Sequence, residues 1–227
     1  MKTEDVMKSY SDFLVDVALF ANIEKDKIDG MLNCLGTSKR IYKKGETIFL
    51  SGDPVLGVGI LIRGSVQISQ EDVLGNQTIL GQVLAGQIFA ETIVCAGVEF
   101  SPVTTVALVD CEILFLQFKR LVTTCTSACQ FHSQLIENML QILAQKNLIM
   151  NKKNRLLSQR SIHEKLKQFF MDMIEQYGSY KFKISFSRNQ LADYLCVDRS
   201  ALSRELSKMQ QNGKINFKKN EFEIINL

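Results

Sequence analysis

The chain has 227 residues, 46% of them hydrophobic and 22% charged, which is enough for two modest cores and ordinary for a globular protein. Its longest apolar run, Val55 to Ile62, is broken by glycines and far too short to cross a bilayer, and its N-terminus is acidic and mixed; we therefore expect a cytoplasmic protein with no membrane partner. The net charge of +3 is uneven: from Arg155 onward there are 13 Lys/Arg against 8 Asp/Glu, a net +5, leaving 14 against 16, a net −2, before it.

Residues 1 to about 35 read as helical, with Phe13, Leu14, Val17, Leu19 and Phe20 followed by a second apolar pattern at Ile28, Met31 and Leu32. Nine of the 13 glycines lie between positions 45 and 97 and punctuate short β-branched runs. Val58–Ile62, Ser65–Ser69, Thr78–Leu80 and the run Val103–Gln117 are the best strands, and Asp72–Asn76 is a hairpin turn. Many short strands at this spacing predict a β-barrel or roll. From about Thr126 to Leu157 the pattern becomes one long helix, with Phe131, Leu135, Met139, Ile142 and Ile149 on one face and Leu140, Leu143 and Met150 on an adjoining one. One face can cover the roll and the other can pair with a second subunit, since about thirty residues of helix overshoot a small domain. Asn151–Gln159 is polar and basic, a hinge, and Ile162–Tyr177 is an amphipathic helix ended by Gly178.

Two short helices and a tight turn follow. Ser187 and Gln190 make a capping box, with Leu191, Ala192 and Leu195 as the buried stripe. Asp198 caps a second helix whose Ala201, Leu202, Leu206 and Met209 face inward, leaving Arg199, Ser200, Ser203 and Arg204 on its early polar face. Asn212-Gly213 closes that helix, and Ile215–Phe217, Lys218–Asn220 and Glu221–Ile225 read as strand, basic turn and strand. This is a winged helix-turn-helix. Guanidinium and short polar groups at the start of a second helix are what major-groove reading needs, because that end reaches the base edges. Arg199, Ser200, Ser203 and Arg204, with Arg188 and the wing's Lys218 and Lys219, are the candidate DNA contacts.

Roll, long helix, hinge and winged helix-turn-helix in that order resemble the cyclic-AMP receptor protein and FNR (Crp/Fnr) family of bacterial transcription regulators. The likeness rests on Gly45-Glu46, Gly52, Ile62-Arg63-Gly64-Ser65-Val66, Gly86-Gln87-Ile88-Phe89-Ala90-Glu91 and Arg199-Ser200-Ala201-Leu202-Ser203-Arg204, and it covers nearly the whole chain. It implies an α+β protein in three parts. These are an effector-sensing, cyclic-nucleotide-binding-like β-roll at 1–125, a dimerisation helix and hinge at 126–157, and the winged helix-turn-helix at 158–227. It also implies a homodimer on a pseudo-palindromic site of double-stranded DNA, with RNA polymerase as a further partner if the protein is an activator. Many members carry glutamate where this chain has Ser200, so their familiar half-site is not assumed for it and the target site is open.

The effector is a separate question. Nucleotide-binding members place an Arg-Ser or Arg-Thr pair about ten residues after a Gly-Glu pair, whereas here Ala90-Glu91 is followed by Ser101-Pro102. Without a cationic partner a buried phosphodiester costs several kcal/mol, which argues against cyclic AMP. An apolar small molecule, a redox signal or no effector at all remain open. Candidate pocket residues are Glu91, Thr92, Ile93, Ser101, Val103, Leu143, Lys146 and Asn147, in segments that mix apolar side chains with hydroxyls and amides. No cofactor is expected. Six cysteines at 34, 95, 111, 125, 129 and 196 lack regular spacing and suit a reducing compartment. Cys125, Cys129 and His132 would share a helical face and form a weak metal candidate, against the simpler reading of small buried residues and a packed histidine. Cys196 is expected to pack in the turn and His163 to be exposed.

The residues predict a sequence-specific DNA-binding regulator. The alternative is a ligand-sensing module whose C-terminal domain docks on a protein partner, against which Lys218-Lys219 argue. No Ser/His/Asp constellation, metal motif or phosphate loop points to an enzyme, and two histidines leave little general-base chemistry.

Overall fold

Two antiparallel four-stranded sheets fill the first half of the chain in the computed structural model, which describes residues 10–55, 57–72, 74, 77–117, 120 and 130–227, without the side chains of Gln130 and Phe131. Strands β1 (Ser38–Tyr42), β2 (Thr47–Phe49), β3 (Val58–Arg63), β4 (Ser65–Glu71), β5 (Gln77–Leu84), β6 (Ile88–Phe89), β7 (Thr104–Ala107) and β8 (Cys111–Leu116) are arranged as β1-β8-β3-β6 and β2-β7-β4-β5. Side-chain alternation explains the placing of the core. Along β8, Cys111, Ile113 and Phe115 enter a core shared with Phe49, Leu61, Val66 and Val83, so the two sheets close on each other. Leu114 and Leu116 point the other way, joining Val58 and Ile60 in a second core with Leu14, Phe20, Ile28, Leu135 and Met139 from the helices. One sheet is thus covered on both faces, which is why β3 and β8 read as nearly continuous apolar runs.

The chain changes sheets at a single residue. Gly64 joins β3 to β4 at φ +102°, and a Cβ there would sit 2.6 Å from Cys111 Sγ and 2.7 Å from the Asp110 carbonyl oxygen. Only glycine fits such a corner without displacement. The run Val103–Gln117 makes a similar change: it is two strands in different sheets, separated at Leu108–Asp110. There Asp110 accepts hydrogen bonds from the Lys43 ammonium at 2.9 Å and the Lys44 amide at 3.0 Å. The hairpin expected at Asp72–Asn76 falls partly outside the described residues; Asp72 does accept from the Leu74 amide at 2.8 Å, an Asx turn, between paired strands β4 and β5.

Before the strands lie α1 (Ser11–Leu14), a 3₁₀ turn (Ala18–Phe20) and α2 (Lys25–Cys34); between them lies α3 (Glu91–Cys95), and after them α4 (Gln130–Leu157). The predicted start of α4, Thr126, is outside the described residues. Buried Asn138 ties α4 to the 3₁₀ turn, its amide donating to the carbonyls of Leu19 at 2.9 Å and Ala21 at 2.8 Å. Leu135 and Met139 are buried and Ile142 and Leu143 half-buried, whereas Leu140, Leu148, Ile149 and Met150 are exposed. Ile149, placed by the apolar spacing on one face with Leu135, is therefore exposed where Leu135 is buried. Of the segment Asn151–Gln159 expected as a hinge, residues 151–157 are helical: α4 continues to Leu157, and the chain leaves the helix over Ser158–Ser161.

The structure divides into two compact units, Met1–Gln145 and Lys146–Leu227, with the boundary inside α4. In the second unit, α5 (Ile162–Tyr177), α6 (Arg188–Leu195) and α7 (Arg199–Gln211) pack on a sheet of order β10-β11-β9, formed by β9 (Lys181–Lys183), β10 (Ile215–Lys218) and β11 (Glu221–Ile224). Leu156, Leu166, Phe169, Phe170, Leu191, Leu195, Leu202, Leu206 and Phe222 form its core. The wing has a third strand, β9, that the sequence reading did not include.

Candidate nucleic-acid interface

The two helices of the helix-turn-helix are set by their caps. Ser187 and Gln190 complete the predicted capping box on α6, and Asp198 accepts the Ala201 amide at 2.9 Å to start α7. The turn between them is sharpened by Cys196, which adopts a left-handed conformation at φ +51°. Cys196 is exposed there, with Sγ 3.6 Å from the Asp193 carbonyl, and does not pack as expected. At this same C-terminal end of α6, the ammonium groups of Lys153 and Lys165 donate to the carbonyls of Tyr194 and Leu195, where the helix dipole leaves partial negative charge. Lys153 also stacks over the Tyr194 ring at 3.3 Å, and burial pushes its pKa down.

Leu202, Leu206 and Met209 turn α7 inward, leaving Arg199, Ser200 and Arg204 exposed and Ser203 half-buried. Ser200 donates to Asp198 at 2.5 Å, so its hydroxyl is oriented by the cap. That bond, then the Ala201 amide, holds the Asp198 carboxyl below its ordinary range, and Arg204 adds a smaller contribution. The wing turn follows Lys218, with Lys219 at φ +54°. Arg188 half-buries its guanidinium over Phe217 at 5.3 Å and Phe222 at 5.6 Å and donates to the Lys219 carbonyl at 2.8 Å. Among the predicted contacts, Arg188 is thus committed to holding the wing turn. The lysines of the wing fall into two groups. Lys181 and Lys183 are paired with Glu223 at 2.8 Å and Glu221 at 3.4 Å across the sheet. Arg199, Arg204, Lys218 and Lys219 make no ion pair with any carboxylate among the described residues.

In the first unit, Glu91 is buried at the start of α3, after Ala90 at φ +62°, and accepts from the Thr92 hydroxyl at 2.9 Å. Thr92 is exposed and Ile93 half-buried. Ser101 is buried and donates to the Val103 carbonyl at 2.7 Å. Leu143 is half-buried against the helical core, while Lys146 and Asn147 are exposed and belong to the second unit, where Asn147 accepts from Asn151 at 2.8 Å. The candidate pocket residues are thus divided by the boundary between units. Of the metal candidates, Cys125 and Cys129 lie outside the described residues and His132 is buried; no group of three or more His, Cys, Asp or Glu among the described residues is placed to hold a metal.

Residues 39–127 match the cyclic nucleotide-binding domain and residues 164–227 the Crp-like helix-turn-helix domain, the latter spanning α6, α7 and the wing described above. The chain belongs to the Crp/Fnr family. This member is 26% identical to the electron transport regulator A of Shewanella oneidensis over 217 residues, 92% of this chain and 82% of the relative. It is 25% identical to the transcriptional activator protein anr of Pseudomonas aeruginosa, over 82% of this chain and 76% of the relative. In fold it is similar to the Thermus thermophilus catabolite activator protein, with a TM-score of 0.54 at 20% identity, covering 92% of this chain and 93% of that one. Crp/Fnr members are transcription regulators with a DNA-binding helix-turn-helix domain. No helix among the described residues of this one is long and apolar enough to cross a membrane.

Two features of this Crp/Fnr chain had no signal in its sequence. His163, expected to be exposed, is half-buried, with Nδ1 2.8 Å from Glu205 Oε1 on α7 and Nε2 3.4 Å from the Lys214 ammonium at the base of the wing. It links α5, α7 and the wing in one polar chain. The use of Arg188 on the wing also depends on residues about thirty positions away, beyond the reach of any local pattern.

Proposed function

We propose that the chain is a sequence-specific duplex-DNA-binding transcription regulator that acts as a homodimer on a pseudo-palindromic promoter site in the cytoplasm. It is not an enzyme, and its effector is not cyclic AMP. The observation that carries this reading is the contrast among cations in the second unit. Lys181 and Lys183 on β9 are neutralised by carboxylates of β11, while Arg199 and Arg204 at the start of α7 and Lys218 and Lys219 at the wing turn are left for an external anion. Arg199 and Arg204 read or clamp the duplex, Ser200 and Ser203 make shorter contacts, and Arg188 positions the wing.

A homodimer is supported by α4, which leaves Leu140, Leu148, Ile149 and Met150 exposed, Ile149 at 68%, in the part of the chain where two recognition helices need a two-fold partner. Against cyclic AMP stands Ser101-Pro102 at the position of the phosphate-neutralising arginine, with the Ser101 hydroxyl already bonded to Val103. A weakly polar small molecule held near Glu91–Ile93 and Ser101–Val103, or a redox signal, fits better; RNA polymerase is a partner if the regulator activates. Measured by fluorescence anisotropy on a selected duplex, Arg199→Ala and Arg204→Ala should each weaken binding by about 1–3 kcal/mol. Lys218→Ala with Lys219→Ala should instead lower the salt dependence. Unchanged affinity in the double arginine variant would refute the assignment.

A further inference from the structure

Outside these roles, the described part of the first unit pairs a nucleophile with a base. Cys34 closes α2 with its side chain exposed, the one exposed thiol of that unit among the described residues. Its Sγ lies 3.8 Å from Nε2 of His132, in the first turn of α4. His132 is 2% exposed, and its other ring nitrogen, Nδ1, has no hydrogen-bond partner among the described residues. Burying an imidazole with one nitrogen unpaired is unfavourable; the other polar side chain buried on this part of the helix, Asn138, has its amide bonded to the Leu19 and Ala21 carbonyls, and its buried neighbours Leu135 and Met139 are apolar. Packing alone gives no reason for a histidine here. The nitrogen that does have a neighbour faces a thiol open to solvent.

We propose that Cys34 and His132 form a reactive thiol–imidazole pair that receives a small hydroperoxide. This deepens, and rests on, the reading of the chain as a regulator answering something other than cyclic AMP. Nε2 of His132 takes the Cys34 thiol proton, and the thiolate sulfur attacks the terminal oxygen of ROOH from the solvent side. The S–O bond forms as the O–O bond breaks; the leaving alkoxide takes the proton back from His132 and departs as ROH. Sulfur is oxidised by two electrons, the peroxide is reduced by two, and Cys34 becomes a sulfenic acid. The new hydroxyl sits against His132, in the helix whose Leu135 and Met139 pack into the same core as Leu32 and Leu35 around Cys34. Oxidation therefore acts on the contact between α2 and the start of α4.

The test uses the full-length reduced chain, treated with hydrogen peroxide and trapped with a sulfenic-acid-specific dicarbonyl probe. Labelling is read peptide by peptide by mass spectrometry, beside duplex binding before and after peroxide. Cys34 should label, His132→Gln should slow that labelling by roughly ten-fold or more, and peroxide should change duplex binding in the unaltered chain but not in Cys34→Ser. Absent labelling at Cys34, or a rate unchanged in a folded His132→Gln, overturns the pair. Should His132→Gln not fold, the Cys34→Ser comparison decides, and an identical peroxide response in both chains overturns the proposal. Failure of the untreated chain to bind any duplex would instead count against the regulator reading, independently of the thiol.

Discussion

Glu112 illustrates how one side chain ties strands to a helix. Its Oε1 accepts from the Lys39 ammonium at 2.8 Å and from the Tyr10 hydroxyl, joining β8, β1 and the segment before α1. Burial pushes its carboxyl up, but the hydrogen bonds from Lys39 and Tyr10 outweigh that and hold it below its ordinary range. A carboxyl depressed in the fold stabilises fully above its unfolded pKa, about 4.3, and loses that contribution as pH falls through the lower folded value. Urea unfolding followed from pH 6 to pH 3 should therefore show the first unit weakening below about pH 4, with a shallower decline in Glu112→Gln. In the second unit, Arg188→Ala should destabilise by about 1–2 kcal/mol, and Arg188→Lys should not restore it, because an ammonium cannot both stack on two rings and reach the Lys219 carbonyl. These pairings were hidden in the sequence, since charged residues read alone look like solvated surface. Arg188 reads in the sequence as a candidate DNA contact, and its turn toward the wing had no local signal.

Elements whose stop and start signals are local were readable. The caps at Ser187, Gln190 and Asp198 and the glycine stops at 178 and 213 lie within a few residues of what they control, and α5, α6 and α7 follow them. β1, β2, β6 and β9, of two to five residues, carry too little alternation to declare themselves alone, whereas the four-residue β10 and β11 are legible because a basic turn joins them. The run at Val103–Gln117 failed for a different reason: a change of sheet leaves the residues apolar and moves only the backbone. Gly64 marks another such change, and Gly64→Ala should cost about 2–3 kcal/mol of first-unit stability in denaturant titration, through a positive φ and the contacts with Cys111 and Asp110. The spacing along α4 gives two apolar faces without saying which is buried; Ile149 is exposed with Leu140 and Met150 although it shares a predicted face with Leu135.

At the scale of the molecule, a sensor-like roll and a winged helix-turn-helix are joined by one helix that carries the boundary between them. The order of parts was legible because each has its own grammar: glycine-punctuated strands, a helix without breakers, then caps and a basic turn. The candidate effector residues could not be joined in the sequence, because Glu91 to Ile93, Ser101 to Val103 and Leu143 to Asn147 come from separate segments and fall on both sides of that boundary. The proposed role is that the unpaired cations of α7 and the wing read duplex DNA in two symmetric copies. Selection of bound duplexes from a random pool should then enrich an inverted repeat with half-sites about one helical turn apart, roughly 34–36 Å, and Arg199→Ala with Arg204→Ala should abolish that enrichment. Recovery of no common sequence, or of one unaffected by those substitutions, would contradict it.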